Sequence, residues 1–213
     1  MTLSDLERSR LEQGREYRNV TMTVRAAEGD EPGYIVEGYA TTFNQPYELY
    51  SYDNVTVCEQ VDSRAFEGCD MSDVIMQYDH QNRVFARTRN NTLTLRTDAK
   101  GLYITADLGG TEEGRKLYQE IKDGYTDRMS FGFTVGADER TTTRNHETGA
   151  VTVLRTILKI KKLFDVSAVS YPANDMTSIS ARSLADGVLA GLAEERRQRD
   201  VKRLKLKLLL EGI

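Results

Sequence analysis

Hydrophobic and polar residues alternate along this chain with two different periods, and the places where one period gives way to the other mark the predicted elements. Val20, Met22 and Val24 alternate with Thr21, Thr23 and Arg25. After a turn-like stretch from Glu28 to Gly33, the segment Tyr34 to Thr42 is rich in Tyr, Ile and Val, which predicts a β-hairpin. Asn44 to Glu59 is irregular at first and ends in a strand at Asn54 to Cys58, and Val74-Ile75-Met76 forms another strand that stops at Tyr78-Asp79-His80. Thr92 to Thr97 and Leu102 to Leu108 alternate cleanly on either side of the turn Asp98 to Gly101, giving a second hairpin.

Beyond Gly109-Gly110 the period lengthens. Thr111 can cap a helix whose first turn holds Glu112 and Glu113, whose apolar stripe is Leu117 and Ile121, and whose stop is Gly124. Strand signals then return. Met129 to Val135 is a strand, Asp138 to Gly149 a polar hairpin loop, Val151 to Lys161 the returning strand, and Phe164 to Tyr171 the last core strand, ended by Pro172. At the N-terminal end, Ser4 to Gln13 predicts a short, weakly amphipathic helix. From Ser183 the composition shifts to Lys, Arg and Leu, with Leu184, Val188, Leu192, Val201, Leu204 and Leu208 at helical spacing, which predicts one amphipathic helix or two. The expected division is a helical extension over 1–18, a mainly β core over 19–182 and a basic helical tail over 183–213.

With 213 residues, 39% hydrophobic and 29% charged, the chain suits one domain with a core plus appendages. Its net charge of −4 gives no overall attraction to nucleic acid. The opening segment is charged throughout and offers no apolar run of the length a secretory signal needs. No stretch reaches the roughly 20 apolar residues of a membrane span, so a cytoplasmic protein without a membrane partner is expected. Cys58 and Cys69 are then reduced thiols. Two cysteines and two histidines, far apart, build no zinc cluster, and no metal or cofactor is expected.

Three residues could carry chemistry. His80 closes an apolar strand, where a histidine is either a hydrogen-bonded structural residue or a base able to take and return a proton at neutral pH. Ser130 lies in Met129-Ser130-Phe131-Gly132-Phe133. It is either a strand serine satisfied by backbone or a nucleophile, with Phe131 and Phe133 anchoring the strand and Gly132 leaving room for a substrate strand. Asp165 sits inside the otherwise apolar Leu163 to Val169, where a charge needs a partner: an imidazole, or Lys161 or Lys162 beside it, unless it faces solvent.

The segments Gly38-Tyr39-Ala40-Thr41-Thr42-Phe43, Tyr78-Asp79-His80, Gly101-Leu102-Tyr103-Ile104, Met129 to Phe133, and Leu163 to Ser167 with Val169 and Tyr171-Pro172-Ala173-Asn174, in this order, resemble the caudoviral prohead protease family. The resemblance spans roughly Val20 to Arg182. It implies an α+β fold akin to the herpesvirus assemblin proteases, a mainly antiparallel β-barrel with flanking helices, here with a helical tail. It implies His80 as general base, Ser130 as nucleophile and Asp165 as the acid that orients the imidazole. Ala173 and Asn174, just past Pro172, are candidate oxyanion donors because a rigid turn there could aim their amides inward. The family usually has glutamate where this chain has Asp165. Assemblins use a second histidine there, and the other histidine of this chain, His146, sits in a polar loop.

The implied function is a capsid-maturation serine endopeptidase acting inside the procapsid in the host cytoplasm. Its implied partners are the phage major capsid protein with its scaffold segment, then the portal, a second copy of the chain, and the chain itself as an autolysis target. Neither nucleic acid nor membrane is implied as a partner. The alternative is a non-enzymatic capsid-assembly scaffold module that docks on coat protein through the basic tail.

Overall fold

The structure is a computed structural model that describes residues 14–20, 25–26, 33–52, 54–80, 83–169 and 175–211. In chain order the strands are β1 (Arg15–Val20), β2 (Arg25–Ala26), β3 (Ile35–Thr42), β4 (Tyr47–Tyr52), β5 (Val55–Val61), β6 (Ile75–Tyr78), β7 (Ala86–Arg87), β8 (Leu93–Thr97), β9 (Gly101–Asp107), β10 (Arg128–Arg144) and β11 (Val151–Val169). Helix α1 (Glu112–Lys122) joins β9 to β10, and α2 (Asp175–Glu211) follows β11. The strands form two sheets, one ordered β1-β10-β11-β5-β4 with β6 beside β11 and β7 beside β6, the other ordered β2-β3-β9-β8.

The α+β class and the mainly antiparallel pairing agree with the sequence expectation, but the described strands make no closed barrel. The parallel pairs come from the length of β11. Its 19 residues accept two different parallel partners in succession, β5 along residues 151–157 and β6 along residues 165–168. A second correction concerns the expected loop between β10 and β11. Residues 138–144 continue β10 as a paired arm, and only residues 145–150 turn the chain. Thr141, Thr142 and Thr143 are β-branched and pair readily, but the arm of β10 is exposed, so no apolar alternation advertises it.

Elements specified by local chemistry match their predictions. In the β8–β9 hairpin, Leu95 faces Ile104 across the ladder, and Asp98 Oδ1 accepts from the amides of Lys100 at 2.8 Å and Gly101 at 3.1 Å, the Asx pattern that closes such turns. Thr111 caps α1 by accepting from Gly114 N at 3.0 Å, Leu117 and Ile121 are buried, and Gly124 adopts φ +78 after the last turn. The strands β4 and β7 were not legible in the sequence. Among the described strands β4 (Tyr47–Tyr52) lies at an edge and pairs with β5 alone, with a register shift at Glu48/Tyr50 that blurs its period.

The principal core lies between the sheets: Val36 and Ala40 of β3, Leu102, Ile104 and Ala106 of β9, and Met129, Phe131 and Phe133 of β10, with Leu117 and Ile121 of α1. Phe131 and Phe133 stack with centroids 4.7 Å apart on one face of β10, leaving Ser130 and Gly132 on the other. A smaller cluster of Val57, Val151 and Val153 receives Leu192 of α2. Val201 and Leu204, on the predicted tail stripe, are exposed, and the side chains of Leu184, Val188 and Leu208 lie outside the described residues. So do the expected helix at Ser4 to Gln13 and the strand alternation at Met22 and Val24. No helix among the described residues is long and apolar enough to cross a membrane.

Candidate active site

The three residues singled out in the sequence arrive from three strands. Ser130 is on β10, directly across from Ser167 of β11, and Gly132 is across from Asp165. Residues 165–168 of β11 also pair with β6, which ends two residues before His80. Just past β6 the chain reverses through Asp79 at φ 46 and His80 at φ 57, two successive residues in the left-handed region. Each such residue costs roughly 1–2 kcal/mol, which the surroundings must offset. Part of that restraint is the amide of Asp79, which donates to Ala168 O at 3.0 Å.

This turn swings the imidazole back over the sheet. His80 Nε2 lies 2.8 Å from Ser130 Oγ, and His80 Nδ1 lies 2.7 Å from Asp165 Oδ1. All three residues are buried, Ser130 completely. The shorter reach of aspartate relative to glutamate is therefore met in the fold, because β11 carries the carboxylate to within hydrogen-bond distance. Lys162 pairs with Asp70 instead of Asp165, at 2.8 Å. His146 lies exposed in the 145–150 turn at the far end of the arm. Ala173 and Asn174 lie outside the described residues.

Sequence reasoning missed the contribution of β1. The end of the region expected to be a helical extension, residues 15–18, instead continues into Asn19 and Val20 as the strand Arg15–Val20 paired to β10, with Asn19 across from Ser130 and Tyr17 across from Gly132. The Tyr17 ring packs edge-on against His80, centroids 4.6 Å apart. Ser130 Oγ lies 3.0 Å from the carbonyl oxygen of Arg18, a second acceptor for the hydroxyl proton besides Nε2. Gly132 is required for a reason other than room for a substrate strand: a Cβ there would lie 2.5 Å from Asp165 Oδ2 and 2.7 Å from Tyr17 Cε1. Tyr17 among charged neighbours is the only trace of residues 15–18 as strand in the sequence.

The Arg18 guanidinium points into a buried ionic network. Its Nε donates to Glu59 Oε1 at 2.5 Å and its Nη2 to Glu59 Oε2 at 3.0 Å, while Glu16 forms a further short contact with it. Arg155 bonds Glu59 at 2.9 Å, Glu16 at 2.7 Å and Asp138 at 2.9 Å, and the Tyr47 hydroxyl donates to Glu59 at 2.7 Å. Burial alone would lower the Arg18 pKa, but Glu59 and Glu16 outweigh it and hold it above its ordinary value. Burial would likewise raise Glu16, yet Arg155 and Arg18 leave it below the usual carboxylate range. This network ties β1 to β5 and β11, and so holds Tyr17 and the Arg18 carbonyl against the Ser130–His80 pair.

Such an arrangement can perform nucleophilic acyl transfer: a hydroxyl, an imidazole on it, and a carboxylate behind the imidazole. A cysteine nucleophile is not favoured, since burial pushes the Cys69 thiol up to about 11 and raises that of Cys58. Among the described residues no group of three His, Cys, Asp or Glu side chains is placed to hold a metal ion.

Comparison with known proteins agrees with this chemistry. The chain is 27% identical over 161 residues to the prohead protease of Enterobacteria phage HK97, a match covering 75% of this chain and 65% of that relative's length. No solved structure matches the chain. A family model described as caudovirus prohead serine protease matches residues 20–188, most of the chain, and the chain belongs to that family.

Proposed function

We propose that this chain is a serine endopeptidase of capsid maturation, with Ser130 as nucleophile, His80 as general base and Asp165 as the group that orients the imidazole. The observation that supports it best is the unbroken relay from Ser130 Oγ to His80 Nε2 at 2.8 Å and from His80 Nδ1 to Asp165 Oδ1 at 2.7 Å. With the Nδ1 proton given to Asp165, Nε2 is left as an acceptor. As Oγ attacks the scissile carbonyl, its proton passes to Nε2, and the imidazolium formed is stabilised by the buried carboxylate. Nε2 then protonates the departing amine, leaving an acyl-serine. Water, deprotonated by the same nitrogen, attacks the ester and releases the acid and the free hydroxyl.

The proposed substrates are the phage major capsid protein, its scaffold segment and the chain itself, inside the procapsid within the host cell. The portal and a second copy are further proposed contacts. Helix α2 supports a docking role, because Val201, Leu204 and Leu206 are exposed among basic residues such as Lys202, Arg203 and Lys205. Leu192 belongs to the Val57 cluster and Arg144 reaches Glu195 at 3.3 Å, so this part of the helix packs on the core and the docking surface is proposed for the exposed stripe at Val201, Leu204 and Leu206.

The test is co-expression with the coat protein of the same genome, parent against Ser130→Ala, with mass measurement of every fragment. New coat-protein termini with the parent alone are expected. Identical, uncleaved products from both chains would return the protein to the scaffold-module reading.

A further inference from the structure

A second hydroxyl lies between the imidazole and the carboxylate, and the mechanism above does not use it. Ser167 follows Asp165 by two residues on β11, so both side chains emerge on the same face of the strand. It is completely buried, directly across from Ser130 on one side and from Gln77 of β6 on the other. Its Oγ stands 3.1 Å from His80 Nδ1 and 3.2 Å from Asp165 Oδ1, and those two atoms are 2.7 Å apart, closing a small triangle.

We propose that Ser167 is a positioning residue, whose hydroxyl holds Asp165 so that Oδ1 faces the Nδ1 proton of His80. The inference rests on the serine protease reading.

The protons in the triangle can be placed from the chemistry of its corners. An ionised carboxylate only accepts, and Nδ1 in the productive tautomer only donates. The Ser167 proton therefore goes to Oδ1, and an Oγ lone pair faces the Nδ1–H, which spans both oxygens with the shorter bond to Asp165. Among the described residues, His80 and Ser167 are the donors to this carboxylate. On its other side Oδ2 fits against Gly132, where not even a methyl group has room.

The outer torsion of an aspartate is broad, so burial alone does not select which oxygen meets the ring. A fixed donor on the same strand does. Removing the hydroxyl leaves a buried carboxylate with one donor fewer, held toward Nδ1 less firmly than in the parent. The Nδ1-protonated tautomer and the imidazolium both lose support, which slows the chemical step and leaves substrate binding alone. Hydrogen bonds to charged groups are strong enough for a loss of about 10- to 100-fold in kcat.

The experiment compares the full-length parent with Ser167→Ala, Ser167→Cys, Asp165→Asn and the Ser167→Ala/Asp165→Asn double variant. Two readouts are taken: kcat and KM on coat protein, and the proton NMR resonance of His80 Nδ1–H. Ser167→Ala should lower kcat about 10- to 100-fold with KM little changed, shift or broaden the Nδ1–H resonance, and add little in the Asp165→Asn background. Ser167→Cys, with a weak donor of similar shape, should fall between parent and alanine, and it decides the matter if the alanine variant does not fold. Parent-like kcat in these variants, or a loss that multiplies in full with Asp165→Asn, overturns the proposal. If the parent itself does not cleave, the protease reading fails, and the NMR arm still decides: an Nδ1–H resonance unchanged in Ser167→Ala overturns the positioning role.

Discussion

Two buried polar networks meet on β1, and they are built on opposite principles. In the relay of Ser130, His80 and Asp165, neighbouring groups are joined by single bonds of 2.7–2.8 Å. In the network of Arg18, Arg155, Glu16 and Glu59, the guanidinium groups bridge several carboxylate oxygens each, and the Tyr47 hydroxyl takes a further place on Glu59. The second arrangement cannot move a proton easily but fixes geometry, because a buried charge loses heavily if any partner leaves. The first has a proton free to move and needs outside help to stay aligned. Tyr17 and Arg18, adjacent on one strand, touch both networks, so rigidity in one supports mobility in the other.

The comparison breaks most visibly at the relay. As the proposed nucleophile and base, Ser130 and His80 act as a unit, so Ser130→Ala and His80→Ala should each lower coat-protein cleavage by about 10⁶-fold. Circular dichroism should stay near that of the parent in both, and the unfolding midpoint should stay near it for Ser130→Ala. Asp165→Asn should cost about 10⁴-fold in kcat by disfavouring the needed tautomer, and a full-rate enzyme would return Asp165 to a structural role.

The ionic network should show the opposite signature. Glu59→Gln leaves two buried guanidinium groups short of a counter-charge and should lower the unfolding free energy by about 3–5 kcal/mol. Urea denaturation measures it, and the rate per folded molecule should change far less than in the relay variants. Gly132→Ala should injure both regions at once, pressing on Asp165 Oδ2 and on the Tyr17 ring. It should lose about 1–3 kcal/mol of stability by overpacking, together with activity, and loss of only one of the two would show that the networks are not coupled through this glycine.

The smallest effect concerns pH. Glu16 has its pKa lowered in the fold from an ordinary 4.5. Its contribution to stability is therefore fully present above that ordinary value and is lost as pH falls through the lower folded value. Melting temperature against pH should fall more steeply on the acid side for the parent than for Glu16→Gln, and parallel curves would remove Glu16 from the acid response.

The candidate site was legible mainly through the family resemblance, which picked out His80, Ser130 and Asp165. The residues alone left each open between a structural and a chemical role, and only Asp165, a charge inside an apolar strand, demanded a partner. The clamp was not visible. Glu59 lies one residue past the strand expected at Asn54 to Cys58, Arg155 lies in a strand whose alternation looked ordinary, and Tyr17 and Arg18 lie in a segment whose charges suggested an appendage. Local pattern records which face a side chain takes, and carries nothing about which distant charge will meet it.

The sequence by itself determined the elements with short-range causes: the β8–β9 hairpin closed by Asp98, the helix α1 capped by Thr111 and stopped at Gly124, and the apolar face of β10. Each depends on residues a few positions apart, so periodicity and capping suffice. Only the tertiary structure decided that β11 takes two parallel partners, that β10 runs on as an exposed arm, and that β1 completes the site. Those outcomes depend on pairings such as Arg18 with Glu59 and His80 with Asp165, 41 and 85 residues apart along the chain. Their energy comes from desolvated contact between groups that share no local pattern, and that contact exists only once the sheets have packed.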